Sequence, residues 1–146
     1  MKINIDQFKF SMPINIRWND MDALGHVNNV YYFEYFQVAR GIYMPTVSEN
    51  WDWTKFMFVI AHIECNYIQE LSMLHKKPEI KVRASRLGNK SFDFEYAIIS
   101  EKDDGEKILH ATGKSTQVMI NTQLKKSIEL PDWLRNDLSN YEIDLK

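Results

Sequence analysis

One cysteine, Cys65, in 146 residues leaves no intramolecular disulfide and no multi-cysteine zinc site. Glycine and proline are scarce as well, five and four, about 6% of the chain against an average usage of roughly 12%. Long, uninterrupted helices and strands fit that scarcity better than a loop-rich fold. No apolar run approaches the roughly eighteen residues of a membrane span, and the opening MKINIDQFKF lacks the apolar centre of a signal peptide. With 45% hydrophobic and 26% charged residues, the chain reads as one globular, cytoplasmic domain over 1–146.

Excess charge of either sign is also missing. The net charge is −2, where a duplex-binding protein is usually basic overall, so no nucleic-acid partner is expected. The charge is uneven all the same: residues 1–70 carry 5 basic and 8 acidic side chains, residues 71–130 carry 11 and 8. Lys76, Lys77, Lys81, Arg83, Arg86 and Lys90 cluster with only Glu79 among them. Such a cluster reads either as a solvated strand face or as a patch that holds phosphates.

What is present is strong patterning. Phe10, Met12, Ile14, Ile16 and Trp18 alternate with polar residues, which predicts a half-buried strand over 10–18, at an edge or bulged because of Pro13. From Val27 to Tyr43 apolar residues recur at three- and four-residue steps, the period of a helix, and leave so few polar positions that the helix should be largely buried. MPTVSENWDWTK then reads as a connection rich in large aromatics. Four strands follow, over about 56–69, 79–87, 91–98 and 107–120, joined by turn signals at Gly88-Asn89-Lys90 and Asp103-Asp104-Gly105. In the first of the four, Met57, Val59, Ala61, Ile63, Cys65 and Tyr67 share one face, while Phe58 and Ile60 mix with His62, Glu64 and Asn66 on the other. PDWLRNDL begins a short C-terminal helix with Pro131 near its first turn. One strand, one buried helix and four strands linked by hairpins give an α+β arrangement, an antiparallel sheet curling around the helix.

Several catalytic signatures fail on inspection. Thr112-Gly113-Lys114-Ser115 resembles the end of a P-loop, but Ile108 stands where the earlier glycine is required. Asp20, Asp22 and Gly25 match calcium-loop positions, but Leu24 and Tyr31 occupy two ligand positions. There is no G-x-S-x-G elbow. Cys65 and His62 have opposite parity on one strand and form no local thiolate–imidazole pair, so Cys65 reads as a core thiol.

The informative stretch is RWNDMDALGHVNNVYY, from Arg17 to Tyr32. It places two carboxylates, an imidazole and two side-chain amides at a strand-to-helix junction. A helix start has free N–H groups and a positive dipole end that suit an oxyanion. The same residues serve equally as structure, with Asn28 as N-cap and the aspartates in Asx turns.

RWNDMDALGHVNNVYYFEYFQVAR closely resembles the signature of the hotdog-fold acyl-CoA thioesterases, the 4-hydroxybenzoyl-CoA thioesterase-like family, approximately R-x-x-D-x-D-x-x-G-H-V-N-N-x-x-Y followed by an aromatic helix ending in A-R. The later Leu130-Pro131-Asp132-Trp133-Leu134 is similar to the family as well, so the resemblance spans nearly the whole chain. It implies a curved five-stranded antiparallel sheet in the order 1-3-4-5-2 around one long helix. It also implies a homodimer through the second strand, or a homotetramer. His62, Glu64 and Asn66 lie on that strand's less apolar face, from which some of them would reach the partner's helix start. The implied activity is hydrolysis of an acyl-CoA thioester with no metal and no cofactor, coenzyme A being part of the substrate. The resemblance maps the catalytic carboxylate onto Asp22, acting as general base or as nucleophile, and the N–H groups that polarise the carbonyl onto Asn29 and Val30. His26 is the motif histidine, catalytic in some relatives and structural in others. Some relatives place a catalytic histidine where this chain has Asn29.

An aspartate is ionised at neutral pH, with a reference pKa of ~3.9, so it needs no activation to take a proton or attack a thioester carbonyl. Asn28, Tyr31, Tyr32, Phe58 and Lys90 complete the expected substrate contacts. The tyrosines and Phe58, with Trp51, Trp53, Phe56 and Met57, would line an acyl pocket, unless the connection's rings simply cap the sheet core, and Lys90 with its basic neighbours would face the coenzyme A phosphates. Two alternatives remain: an acyl carrier protein, an acidic partner, carrying the acyl group, and a non-catalytic acyl-CoA binding module.

Overall fold

The computed structural model describes residues 3–145. Its elements run β1 (Phe10–Pro13), α1 (Asn29–Val47), β2 (Met57–Tyr67), β3 (Lys76–Leu87), β4 (Ser91–Glu101), β5 (Lys107–Asn121), β6 (Lys126–Ser127) and α2 (Asp132–Tyr141). The strands form one antiparallel sheet in the order β1-β3-β4-β5-β2, and the two-residue β6, absent from the expected set, pairs with β5. This is the expected hotdog arrangement, with α1 as the filling. Phe36, Ala39, Tyr43 and Met44 of α1 are fully buried, facing Phe94, Tyr96 and Ile98 of β4, which are buried too.

Helix and sheet approach closely at Gly113 of β5. A Cβ there would lie 2.6 Å from two ring carbons of Phe36 and 3.0 Å from the Glu64 carbonyl oxygen. Phe36 cannot yield, because its ring stacks on Tyr96 with centroids 4.2 Å apart and planes at 12°. Gly113→Ala should therefore destabilise the fold by about 2 kcal/mol, the ordinary cost of overpacking, and lower the melting temperature by several degrees in a calorimetric scan.

Beyond shifts of two or three residues at other element ends, three features differ from the sequence reading. β1 ends at Pro13 rather than near 18: Ile14 donates one further bond to the Pro78 carbonyl, 2.9 Å, and the chain then leaves the sheet. Ile14 and Ile16 still pack on the core, but a 3-10 turn over Trp18–Asp20 breaks the alternation and leaves Trp18 78% exposed. The helix does not stop at Tyr43. It continues through Pro45 to Val47. A proline there leaves the carbonyl four residues back without its N–H donor, and Trp53 Nε1 donates to that carbonyl, Gly41 O, at 3.2 Å.

The third difference is a β-bulge at Ala61. Ile60 pairs with Gln117 and His62 with Thr116, so Ala61 is the extra residue and the faces of β2 exchange there. Phe58 packs on the core before the bulge, Ile63 and Cys65 after it. Met57 and Val59 are exposed, against the expectation that they share one face with Ile63 and Cys65. Burial pushes the Cys65 thiol up to about 11, so it stays protonated at neutral pH. His62, Glu64 and Asn66 lie on the face opposite Ile63 and Cys65, the face turned from this chain's own α1. Among the described residues, no helix is long and apolar enough to cross a membrane.

Candidate active site

The junction between β1 and α1 is built on a buried carboxylate. Asp20 is inaccessible and accepts the Arg17 backbone N–H at 3.1 Å, Arg17 Nε at 2.9 Å and the Tyr35 hydroxyl at 2.7 Å. Burial pushes its carboxyl up, but the Arg17 and Tyr35 bonds outweigh that and hold it below the usual carboxylate range. The Asp20 carbonyl also accepts the Asn28 N–H at 2.8 Å. The first aspartate of the D-x-D pair is thus the frame that ties the loop to α1.

The second aspartate is exposed. Asp22 and His26 close a small loop, with the Asp22 N–H donating to the His26 carbonyl at 2.8 Å and an isolated bridge between Met21 and Val27. Gly25 turns this loop at φ +77°, a conformation that favours glycine. Asp22 Oδ1 accepts the Leu24 N–H at 2.9 Å and the His26 N–H at 3.3 Å. Both bonds fall on one oxygen, which orients the carboxylate and leaves Oδ2 available.

Asn28 caps α1: its Oδ1 accepts the Val30 N–H at 3.1 Å. Of the two N–H groups expected to face a carbonyl, the one on Val30 is therefore occupied. The Asn29 N–H makes no hydrogen bond among the described residues, and it stands at the positive end of a 19-residue helix. The Asn29 carbonyl accepts the Tyr67 hydroxyl at 2.9 Å, and the Tyr67 ring meets Tyr32 edge-on at 4.8 Å. The Val27 N–H donates to the Leu71 carbonyl at 2.7 Å, which couples the loop to the β2–β3 connection. Tyr31 is half-buried under the Arg17 guanidinium, 5.6 Å from its ring centre.

Asp22, His26, Asn28, Asn29, Tyr31 and Tyr32 are thus gathered around the start of α1. Phe58 and Lys90 are not. Phe58 pairs with Met119, and the Met119 N–H donates to the Lys90 carbonyl at 3.0 Å, so these two are neighbours at the opposite end of the sheet. Nine residues of strand separate Phe58 from Tyr67, roughly 30 Å. Phe58 packs instead against Trp51, Trp53 and Phe92. An open hollow of about 870 Å³ lies at this end, lined among others by Trp51, Trp53, Phe56 and, from α2, Trp133. Within one chain the expected single pocket joining the aromatic connection to Tyr31 and Tyr32 does not form, because the two lie at opposite ends of α1.

The basic cluster fits the first of its two readings, a strand face. Lys77 pairs with Glu101 at 3.4 Å, Arg83 with Glu95 at 3.0 Å, Arg86 with Asp93 at 2.8 Å and Lys81 with Glu79 at 3.9 Å; Lys76 pairs with Asp103. Only Lys90 of the six has no ion pair among the described residues, so the cluster is largely a neutralised strand face. Among the described residues no three histidine, cysteine, aspartate or glutamate side chains converge as a metal set.

Sequence reasoning missed Tyr67 and the Leu71 carbonyl. Tyr67 was legible as the last aromatic of its strand, whereas a backbone carbonyl in a connection carries no side-chain signal. It also missed Trp133, hidden in a helix with an ordinary pattern.

Comparison with known proteins places this geometry among relatives. An uncharacterised protein of Bacillus subtilis (strain 168), YsmA, is 27% identical over 125 residues, which cover 86% of this chain and 82% of that one. A thioesterase from Thermus thermophilus, solved in complex with coenzyme A and Zn, is 26% identical with a TM-score of 0.78 over 92% of this chain and 95% of its own. A 4-hydroxybenzoyl CoA thioesterase mutant complexed with 4-hydroxybenzoyl CoA shares the fold, at 15% identity and a TM-score of 0.81 over 88% of this chain and 97% of its own. Residues 16–138 match the model of the thioesterase-like superfamily, from just before Arg17 to Leu138 of α2, and the chain belongs to that superfamily.

Proposed function

We propose that this chain hydrolyses an acyl-CoA thioester at the start of α1. The observation that carries the reading is the pairing of an exposed, anchored carboxylate, Asp22, with the unoccupied Asn29 N–H of the capped helix. A thioester carbonyl set against Asn29 N–H has its oxygen at a donor and at the positive end of the helix dipole, where charge develops on attack. Asp22 Oδ2 takes a proton from water, and the hydroxyl adds to the carbonyl carbon. Collapse of the tetrahedral intermediate breaks the carbon–sulfur bond, and the departing thiolate takes up the proton, giving free acid and CoA. In the nucleophilic variant Asp22 itself adds to the carbon and expels the thiolate, and water then opens the mixed anhydride. Coenzyme A as the thiol carrier is supported by the ligand of the Thermus thermophilus structure. The ion pairs of the basic cluster weaken the counter-charge argument for the coenzyme A phosphates and for an acidic carrier protein alike. No cofactor beyond the substrate enters these steps.

The decisive experiment presents purified protein with a panel of acyl-CoA and acyl-carrier thioesters and reads free-thiol release. Turnover of CoA esters supports the reading; binding without thiol release on every member would make the protein a binding module instead.

The same reading takes two copies to pair along β2. That strand is a sheet edge carrying exposed Met57, Val59, Ile60 and Tyr67, an arrangement that invites pairing unless covered. An antiparallel two-fold pairing sets the partner's Phe58 end beside this chain's Tyr67 end. The aromatic hollow of one copy then approaches Asp22 of the other, which supplies the acyl pocket that a single chain lacks. Sedimentation equilibrium should give twice the monomer mass or a multiple of it; a lone monomer in dilute solution would contradict the pairing.

A further inference from the structure

Resting on that reading of the Asp22 loop, we propose that His110 is a positioning residue for the site, acting through the β2–β3 connection. His110, on β5, is fully buried. Its Nδ1 faces two acceptors, the carbonyls of Glu70 at 2.9 Å and Gln69 at 3.3 Å. Carbonyls only accept, so Nδ1 carries the proton, and Nε2 accepts from the Ser100 hydroxyl at 2.7 Å. The His110 carbonyl takes the N–H groups of Ile68 and Gln69 at 2.9 and 3.1 Å. One residue thus grips three consecutive positions of the connection, through main chain and ring together.

The connection continues into the site. Leu71, next to the gripped Glu70, is fully buried, and its carbonyl accepts the Val27 N–H at 2.7 Å. Val27 lies between His26, whose N–H and carbonyl both bond to Asp22, and Asn28, which caps α1. Ser72 is held in turn by His75, whose Nδ1 accepts the Ser72 N–H at 3.1 Å and whose ring meets His110 edge-on at 4.6 Å. Burial, and then the neighbouring His75, lower the His110 imidazole below the usual histidine value, which agrees with the neutral donor form that the carbonyls require. The chain of contacts is His110 ring, Glu70 carbonyl, Leu71 carbonyl, Val27 amide and Asp22 loop. None of the linking groups is expected to touch substrate.

The test compares His110→Phe, which keeps the ring and loses the donor, with His110→Asn, whose amide N–H can stand where Nδ1–H stood. Two readouts are taken: thioester turnover, and hydrogen exchange at the Val27 amide. For His110→Phe we expect kcat about tenfold lower or more with KM within about twofold, and Val27 exchange at least about tenfold faster. His110→Asn should recover both to within about threefold. Parental kcat and parental Val27 exchange in a folded His110→Phe overturn the proposal, as does a loss that His110→Asn does not recover. If His110→Phe does not fold, Ser100→Ala decides on the same readouts. It frees the ring on its other side, and unchanged kcat and exchange in that variant overturn the proposal. The exchange arm needs no substrate. Faster Val27 exchange in a protein that cleaves no thioester refutes the proposed activity and leaves the coupling standing, whereas full turnover by His110→Phe refutes the coupling alone.

Discussion

Asp22→Asn should lower kcat for thioester cleavage by at least about 100-fold, the usual loss when a general base or nucleophile is removed. The substitution is nearly isosteric, and the amide oxygen can still accept the Leu24 and His26 N–H groups that Asp22 Oδ1 accepts now. Loop geometry should therefore survive, with an unchanged melting temperature and a KM within a few-fold of the parent. What disappears is the second oxygen's capacity to take a proton or attack carbon. Label on Asp22 after a single turnover in ¹⁸O-water would establish the nucleophilic route, since it arises only when water opens the mixed anhydride at the aspartyl carbon. Turnover close to the parent's would remove Asp22 from the chemistry.

Asp20→Asn should have the opposite signature, a large loss of stability with activity falling only as the loop loosens. The change leaves Arg17 without the ion pair at 2.8 Å and forces an amide N–H toward the Arg17 donors or the buried Tyr35 hydroxyl. Removing one partner of a buried pair costs roughly 3–5 kcal/mol, and because Arg17 is half-exposed and can rehydrate, about 3 kcal/mol is the expected value here. The pH dependence gives an independent check. The folded protein holds the Asp20 carboxyl below its unfolded value of ~3.9, so the unfolded chain binds the extra proton. The stabilisation is complete above that value and is lost as pH falls through the folded one. Denaturant titrations of the parent should therefore lose stability below about pH 4, and the Asn variant should lack that part of the acid limb. Equal acid limbs in both proteins would mean that Asp20 carries no linkage.

Much of this was legible beforehand, and the exceptions have physical causes. The strand order and the buried helix followed from hairpin signals, from the helical period between Val27 and Tyr43, and from the family-like motif. The face assignment of β2 failed because Met57, Phe58, Val59 and Ile60 are all apolar, so no alternation records where the bulge at Ala61 falls. The helix end was misplaced because Pro45 normally ends a helix, and its tolerance depends on Trp53, twelve residues from Gly41 in sequence but bonded to it in space. The basic cluster looked unopposed because its counter-charges, Asp93, Glu95 and Glu101, sit on the next strand in cross-strand register. In the site, side chains announced themselves through the motif. The tie from Leu71 to Val27 is a main-chain bond between two connections far apart in sequence, and no residue type encodes it.

The strand order also sets a timetable for the growing chain. β1 and β2 are the first strands made and the two edges of the sheet. Phe10 finds its partner only with Val82, and Met57 only with Ile120. At about 5–20 residues per second, a nascent chain carries β2 and the apolar α1 uncovered for several seconds before β5 leaves the ribosome. No stretch that ends before β5 can enclose the helix, so the domain has no stable half. Its assembly should be late, concerted and slow for its size, as expected where pairing is dominated by distant contacts.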